Sequence, residues 1–206
     1  MTFPSIVLVD SCSYLRLGAH VHPNFWGPHA DFGVRCIEQT EAEVQKQRIV
    51  SALRWPTRDP HPALRKKWKL APSAAERAAV AAAEEELFEI AEEVLTEAIE
   101  HRRKYDARGD AVAFLSPVDL RLLATAFHFK YGLMTDELAL TLVAKHLHLK
   151  VFSSMQMLRY CLDQQYIDDA KVDQVILRWH AENDLPHTGW AADFKRLFKR
   201  KAPQLA

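Results

Sequence analysis

The sequence predicts an α/β fold: a three-layer α/β/α sandwich with a mainly parallel central sheet and extra helices. Short aliphatic runs alternate along the chain with longer amphipathic segments, an order typical of strand–helix–strand units. The composition is that of a globular protein, with 49% hydrophobic and 26% charged residues. We therefore expect strands that are buried on both faces and joined by helical crossovers.

The first quarter of the chain contains two predicted strands and a helix. Residues 5–9 (SIVLV) are aliphatic and stop at Asp10, which is typical of a short, fully buried strand. Residues 34–37 (VRCI) form a weaker strand candidate. A helix is predicted over 40–54, and the three prolines that follow favour a loop over 55–70.

A long helix is predicted from Ser73 to about Tyr105. Ser73 and Glu76 have the spacing of a capping box, in which each side chain binds a free backbone N–H near the helix start. Eight glutamates between positions 84 and 100 are interpreted as a solvent-exposed face. The apolar stripe of this helix is expected to consist of Leu87, Ile90, Val94 and Ala98.

The second half of the chain repeats the alternation of strand and helix. Residues 111–115 (AVAFL) are predicted to be a second buried strand, after a loop over 106–110. Ser116 and Pro117 then open a helix that extends to about Lys130. The remaining predicted elements are strands over 131–134 and 150–152 and helices over about 136–148, 155–166, 170–182 and 189–200.

Charge and cysteine content narrow the functional classes. The 27 basic and 27 acidic residues cancel, so any contact with nucleic acid must come from a local patch. The apolar run at 5–9 is too short for a membrane span or the core of a signal peptide. Three scattered cysteines without a CxxC pair argue against a disulfide framework and favour a cytoplasmic protein.

Acidic residues follow several of the predicted strands. Asp10 comes directly after the first strand, and Asp136 and Asp119 come shortly after two others. Because the carboxyl ends of parallel strands meet at one edge of a sheet, we expect these carboxylates to lie close together. Glu43, in the first turn of the helix after 34–37, is a fourth candidate. Carboxylates held close repel one another unless a cation such as Mg²⁺ lies between them.

Each of these acids also has a purely structural interpretation. Asp119 has the position of a capping acid for Ser116, and Asp136 lies where the helix dipole favours a negative charge. Glu43 competes with Glu41 and Glu38 for the role of second acid. Asp10 is harder to explain structurally, because a carboxylate at the end of a buried strand is costly without a partner.

Four segments of the sequence together resemble the PIN-domain nucleases, and in particular the VapC-toxin-like ribonucleases. These segments are IVLVDSCSYLRL, VRCIEQTEAEV, LSPVDLRLLATAF and LMTDELALTLVAKHLHLKVFSS, which carry Asp10, Glu43, Asp119 and Asp136 respectively. The resemblance covers roughly 4–58 and 110–155. It implies a PIN-like nuclease domain over 1–155 with a helical insertion at about 58–108, followed by a C-terminal helical extension over 156–206.

The resemblance implies a metal-dependent endoribonuclease that hydrolyses single-stranded RNA. Mg²⁺ or Mn²⁺ would be held by Asp10, Glu43, Asp119 and Asp136, with Ser11 and Thr135 orienting the carboxylates. The resemblance also implies an antitoxin protein as partner, and a homodimer is open; no contact with a membrane is expected. A DNA-acting nuclease and a non-catalytic scaffold or RNA-binding module remain alternatives. Candidate nucleic-acid contacts are Arg54, Arg58, Arg65, Lys66, Lys67 and Trp68.

Overall fold

The fold was analysed in a computed structural model, which describes residues 4–21, 32–51, 69–105 and 114–204. Within these ranges the chain forms four strands and eight helices. The strands are β1 (Ile6–Val9), β2 (Gly33–Arg35), β3 (Gly132–Met134) and β4 (Val151–Phe152). The helices are α1 (Ser11–His20), α2 (Glu38–Ser51), α3 (Ala74–Tyr105), α4 (Pro117–Phe129), α5 (Leu138–His146), α6 (Ser154–Asp163), α7 (Asp169–Ala181) and α8 (Trp190–Phe198).

The four strands form one parallel sheet in the order β2-β1-β3-β4. In register, Val7 lies beside Val34 on one side and Gly132 on the other, and Leu133 lies beside Val151. The predicted α/β class is thereby confirmed. The strands predicted at 5–9, 34–37, 131–134 and 150–152 are present, with ends that differ by one or two residues.

Alternation along β1 divides the hydrophobic core between the two faces of the sheet. Val7 and Val9 belong to one buried cluster, and Leu8 between them belongs to another. This is the period of two that an extended strand imposes on its side chains. Helices therefore cover both faces, as the class of fold requires.

The C-terminal helices cover the face that carries Val7 and Val9. Trp179 from α7 and Phe194 from α8 are fully buried there, together with Leu17 from α1. The helices predicted over 155–166, 170–182 and 189–200 are confirmed as α6, α7 and α8. They share a continuous hydrophobic core with β1, the first strand of the chain.

The other face is covered by α3, α4 and α5. The predicted capping box at the start of α3 is present, because Ser73 N–H binds Glu76 and Glu76 N–H binds Ser73 Oγ. Leu87 and Leu95 of α3 are buried against Leu123 of α4 and Val143 of α5. This long helix is thus anchored through one stripe along its length.

One predicted strand fails where the structure describes it. Phe114 and Leu115 have no strand pairing, and Phe114 is 56% exposed, so the prediction of a buried strand is wrong for these two residues. Residues 111–113, the loop at 106–110 and most of the loop at 55–70 lie outside the described residues. Lys69, at the end of the latter loop, pairs with Cys36 next to β2.

Two further findings concern the cysteines and the apolar character of the helices. Cys12, Cys36 and Cys161 are free, so the expectation of no disulfide framework is confirmed. None of the helices in the described ranges is long and apolar enough to cross a membrane.

Candidate functional site

Asp10 lies at the carboxyl end of β1, one of the two central strands of the sheet. Its N–H binds Met134 O of β3 at 3.1 Å, so the sheet fixes its backbone. One carboxylate oxygen caps α1 by accepting a hydrogen bond from Ser13 N–H at 2.6 Å, and the other accepts one from Thr135 Oγ1. The residue is 4% exposed. Burial raises its pKa from 3.8 to about 6, although both hydrogen bonds act in the opposite direction.

Glu43 approaches Asp10 from α2. Ser11 Oγ, one residue after Asp10, donates a hydrogen bond to Glu43 Oε2 and links the two elements. The two competing glutamates are engaged elsewhere. Glu38 pairs with Lys69 at 2.9 Å, and Glu41 accepts a hydrogen bond from Gln45 at 3.0 Å. Of these three acids, Glu43 is the one that lies beside the start of α1.

Asp119 is placed by the start of α4. Its N–H binds Ser116 Oγ at 3.1 Å, and its Oδ2 accepts a hydrogen bond from Ser116 N–H at 3.3 Å. The structural interpretation of Asp119 as a capping acid is therefore correct. It does not exclude a further role, because both of the described contacts to Ser116 through the side chain use Oδ2.

Asp136 forms an ion pair with Arg16. Its Oδ2 accepts a hydrogen bond from Arg16 Nη1, and its Oδ1 accepts one from Ser154 N–H at 3.0 Å. The Asp136 side chain is only 4% exposed. Both oxygens that were predicted to bind a metal thus already have strong partners within the protein.

Glu137, the next residue, was not among the predicted site residues, but it lies near three of them. Its pKa is raised from 4.5 to about 7, first by partial burial and then by the negative charges of Asp119, Asp10 and Glu43. The titration of Glu137 is therefore coupled to the charges of the other three acids. We refer to Asp10, Glu43, Asp119 and Glu137 as the carboxylate cluster.

The sequence contains a signal that distinguishes Glu137 from Asp136. Glu137 precedes α5 with an extended backbone (φ −73°, ψ 126°) and lies two residues after Thr135. Thr135 faces Asp10, and Glu137 is two residues further on. The two are also joined directly, because Glu137 N–H binds Thr135 Oγ1 at 3.0 Å. The spacing of two residues from Thr135, itself a predicted site residue, is the signal that could have indicated Glu137.

Among the described residues, the carboxylate cluster has no cationic partner. No ion pair between described residues includes any of its four members. All of its donors are carboxylate oxygens, the ligands that Mg²⁺ and Mn²⁺ prefer. Among the described residues, no three His, Cys, Asp or Glu side chains have the arrangement of a metal site. The donor chemistry of the cluster fits a hard divalent cation, but its side chains are not gathered around one point.

The residues predicted to contact nucleic acid all lie outside the described part of the chain: Arg54, Arg58, Arg65, Lys66, Lys67 and Trp68. Their assignment remains a prediction from the sequence.

Comparisons with known proteins assign no family to this site. Models of known protein families give no match to the chain, and curated proteins give no significant match. The function must therefore be argued from the geometry and chemistry of the site.

Proposed function

We propose that this protein is a metal-dependent nuclease of the PIN type that hydrolyses phosphodiester bonds of single-stranded RNA. One observation carries the proposal: Asp10, Glu43, Asp119 and Glu137 come from separate parts of the chain, lie near one another beside the carboxyl end of β1, and take part in no described ion pair. The pKa of Glu137 is raised to about 7, first by partial burial and then by the negative charges of the other three acids. Such an arrangement costs stability, which is expected of a site built to bind a cation rather than to hold the fold together.

The four members of the carboxylate cluster would hold Mg²⁺ or Mn²⁺, after their side chains move closer together. Such an ion supplies an activated water near neutral pH and neutralises charge that develops on a phosphate. The residues of the chain provide the orientation. Thr135 fixes one oxygen of Asp10, and Ser11 fixes one oxygen of Glu43. Both hydroxyls donate to the carboxylates and so favour their charged, metal-binding form.

A non-catalytic scaffold or RNA-binding module is the second candidate. Its support is that Asp10 and Asp119 each stabilise a helix start, which would retain them in a protein without activity. Glu137 separates the two functions, because its carboxylate has no hydrogen-bonding role among the described contacts and raises the free energy of the folded state. A toxin with an antitoxin partner, and a nuclease acting on DNA, are narrower versions of the first proposal.

The decisive experiment measures cleavage of end-labelled single-stranded RNA with Mn²⁺, with Mg²⁺ and with EDTA. A DNA of the same sequence tests the nucleic-acid preference. Glu137→Gln and Asp119→Asn are compared with Glu92→Gln, a matched change on the exposed face of α3. We expect metal-dependent cutting of RNA that both cluster variants lower at least about 100-fold, beyond the loss typical of residues that only support ligands.

Two results would contradict the proposal. Cutting that persists in EDTA would exclude a metal mechanism. Equal rates for the parent and Glu137→Gln would place the active site elsewhere. Absence of cutting, combined with no binding of Mn²⁺, would favour the scaffold.

A further inference from the structure

A buried arginine connects the carboxylate edge of the sheet to the C-terminal part of the chain. Arg16, in α1, donates through Nη1 to Asp136 and through Nη2 to Asp184 Oδ1 at 2.7 Å. Its Nε donates to the backbone carbonyl of Asp184 at 2.9 Å. Asp184 lies in the segment between α7 and α8. We call Arg16, Asp136 and Asp184 the arginine bridge.

The surroundings of Arg16 exclude a direct role with substrate. The residue is 5% exposed, and all three of its guanidinium nitrogens have partners within the protein. The guanidinium carbon lies 5.9 Å from the centre of the Trp179 ring, and the Trp179 indole N–H binds Arg16 O at 3.2 Å. A side chain that is enclosed, with a protein partner on each nitrogen, acts through the groups it holds.

The group it holds is the segment that contributes to the carboxylate cluster. Asp136 lies between Thr135, which binds Asp10, and Glu137, which belongs to the cluster. With Arg16 on Oδ2 and Ser154 N–H on Oδ1, the Asp136 side chain is fixed from two directions. Holding the middle one of three consecutive residues also restricts where its two neighbours can lie, because the backbone joins them directly.

We propose that Arg16 and Asp184 are positioning residues for the carboxylate cluster, and that the segment between α7 and α8 is consequently a functional part of the site. The inference rests on the proposed metal-dependent activity. It adds that residues 156–206 support the site as well as the core. A guanidinium suits this task, because its planar fork fixes the directions of the bonds to both partners.

The test compares two aspartates in the C-terminal helical region. Asp184→Ala removes one bond of 2.7 Å to Arg16, which keeps Asp136 as a partner. Asp173→Ala removes one bond of 2.7 Å to Arg200, which keeps Asp169. The two changes are matched in chemistry and differ in connection to the cluster. Asp184→Asn retains an acceptor for Arg16 and serves as the conservative variant.

Each full-length variant is titrated with Mn²⁺ by calorimetry, and its kcat and KM for RNA are measured separately. We expect Asp184→Ala to weaken Mn²⁺ binding about 10-fold or more and to lower kcat with KM unchanged, in the range typical of groups that orient ligands. Asp173→Ala should change each quantity less than about twofold, because such surface pairs contribute little. Asp184→Asn should lie between Asp184→Ala and the parent.

The failure of this inference differs from the failure of the proposed function. If the parent binds Mn²⁺ and cuts RNA, but Asp184→Ala behaves as Asp173→Ala does, the positioning role is overturned and the nuclease stands. If the parent neither binds Mn²⁺ nor cuts, both are overturned, since there is then no metal site to position.

Discussion

The carboxylate cluster and the arginine bridge are adjacent in the structure, yet they treat negative charge in opposite ways. Glu137 lies among three other acids, and its pKa is raised to about 7. Asp136, one residue earlier, is buried against a guanidinium. The same kind of charge therefore costs stability in one region and contributes to it in the other. The comparison thus distinguishes Asp136, whose charge stabilises the fold, from Glu137, whose charge destabilises it.

Removing the cation of the arginine bridge should have the largest effect on stability. Arg16→Met leaves Asp136 buried without its charged partner, and breaking a buried pair from one side costs about 3–5 kcal/mol. Urea unfolding followed by circular dichroism measures this loss. Arg196→Met is the matched control, because its pair with Asp193 is exposed and should contribute less than about 1 kcal/mol. Equal losses in the two variants would show that the bridge is not a structural anchor.

Supplying a cation to the carboxylate cluster should have the next largest effect. Mn²⁺ at about 100 times its Kd stabilises a protein that binds it only when folded by about 2.7 kcal/mol. The increase in Tm should be full at pH 8 and small at pH 5, where Asp10, with a pKa of about 6, and Glu137, with a pKa of about 7, are protonated. Differential scanning fluorimetry measures both. A shift in Tm that is equal at the two pH values would place the metal outside the cluster.

Neutralising Asp136 should destabilise the protein by an intermediate amount. Asp136→Asn weakens its hydrogen bond to Arg16, and a hydrogen bond to a charged group contributes about 1.5–3 kcal/mol. Chemical unfolding at pH 8 gives the value. An unchanged or increased stability would mean that Asp184 alone satisfies Arg16.

Neutralising Glu137 should have the smallest effect and the opposite sign. The pKa of Glu137 is higher in the folded state than the ordinary 4.5, so the parent loses stability as the pH rises from about 4.5 to about 7. Glu137→Gln removes this loss and should be more stable at pH 8 by about 1 kcal/mol, a value reduced for the partial exposure of the side chain. At pH 4 the two proteins should unfold alike. A variant that is less stable at pH 8 would show that Glu137 has a structural partner.

The sequence was sufficient to predict features that depend on local pattern. The buried strand that ends at Asp10, the capping box at Ser73 and the parallel class of sheet each follow from residue type and spacing. Asp136 was expected to bind a metal, but in the structure its carboxylate pairs with Arg16, which is 120 residues away along the chain. No pattern near Asp136 in the sequence indicates that it pairs with Arg16.

The failure at Phe114 has a different cause. An apolar run of five residues indicates burial but cannot specify a neighbouring strand to pair with. The described part of that run lies outside the sheet, directly before the cap of α4. Phe114 is hydrophobic as the pattern requires, but its exposure is determined by the position of the run in the fold, which residue type alone does not specify.

The positions of the site residues along the chain determine when the site can form during synthesis. β1 is made first, but its contact from Asp10 to Thr135 spans 125 residues, and the contact from Arg16 to Asp184 spans 168. Contacts of such long range close late in folding. A growing chain therefore carries Asp10, Glu43, Asp119 and Glu137 before it carries the residue that completes the arginine bridge. The arginine bridge can therefore form only after all four members of the carboxylate cluster have been synthesised.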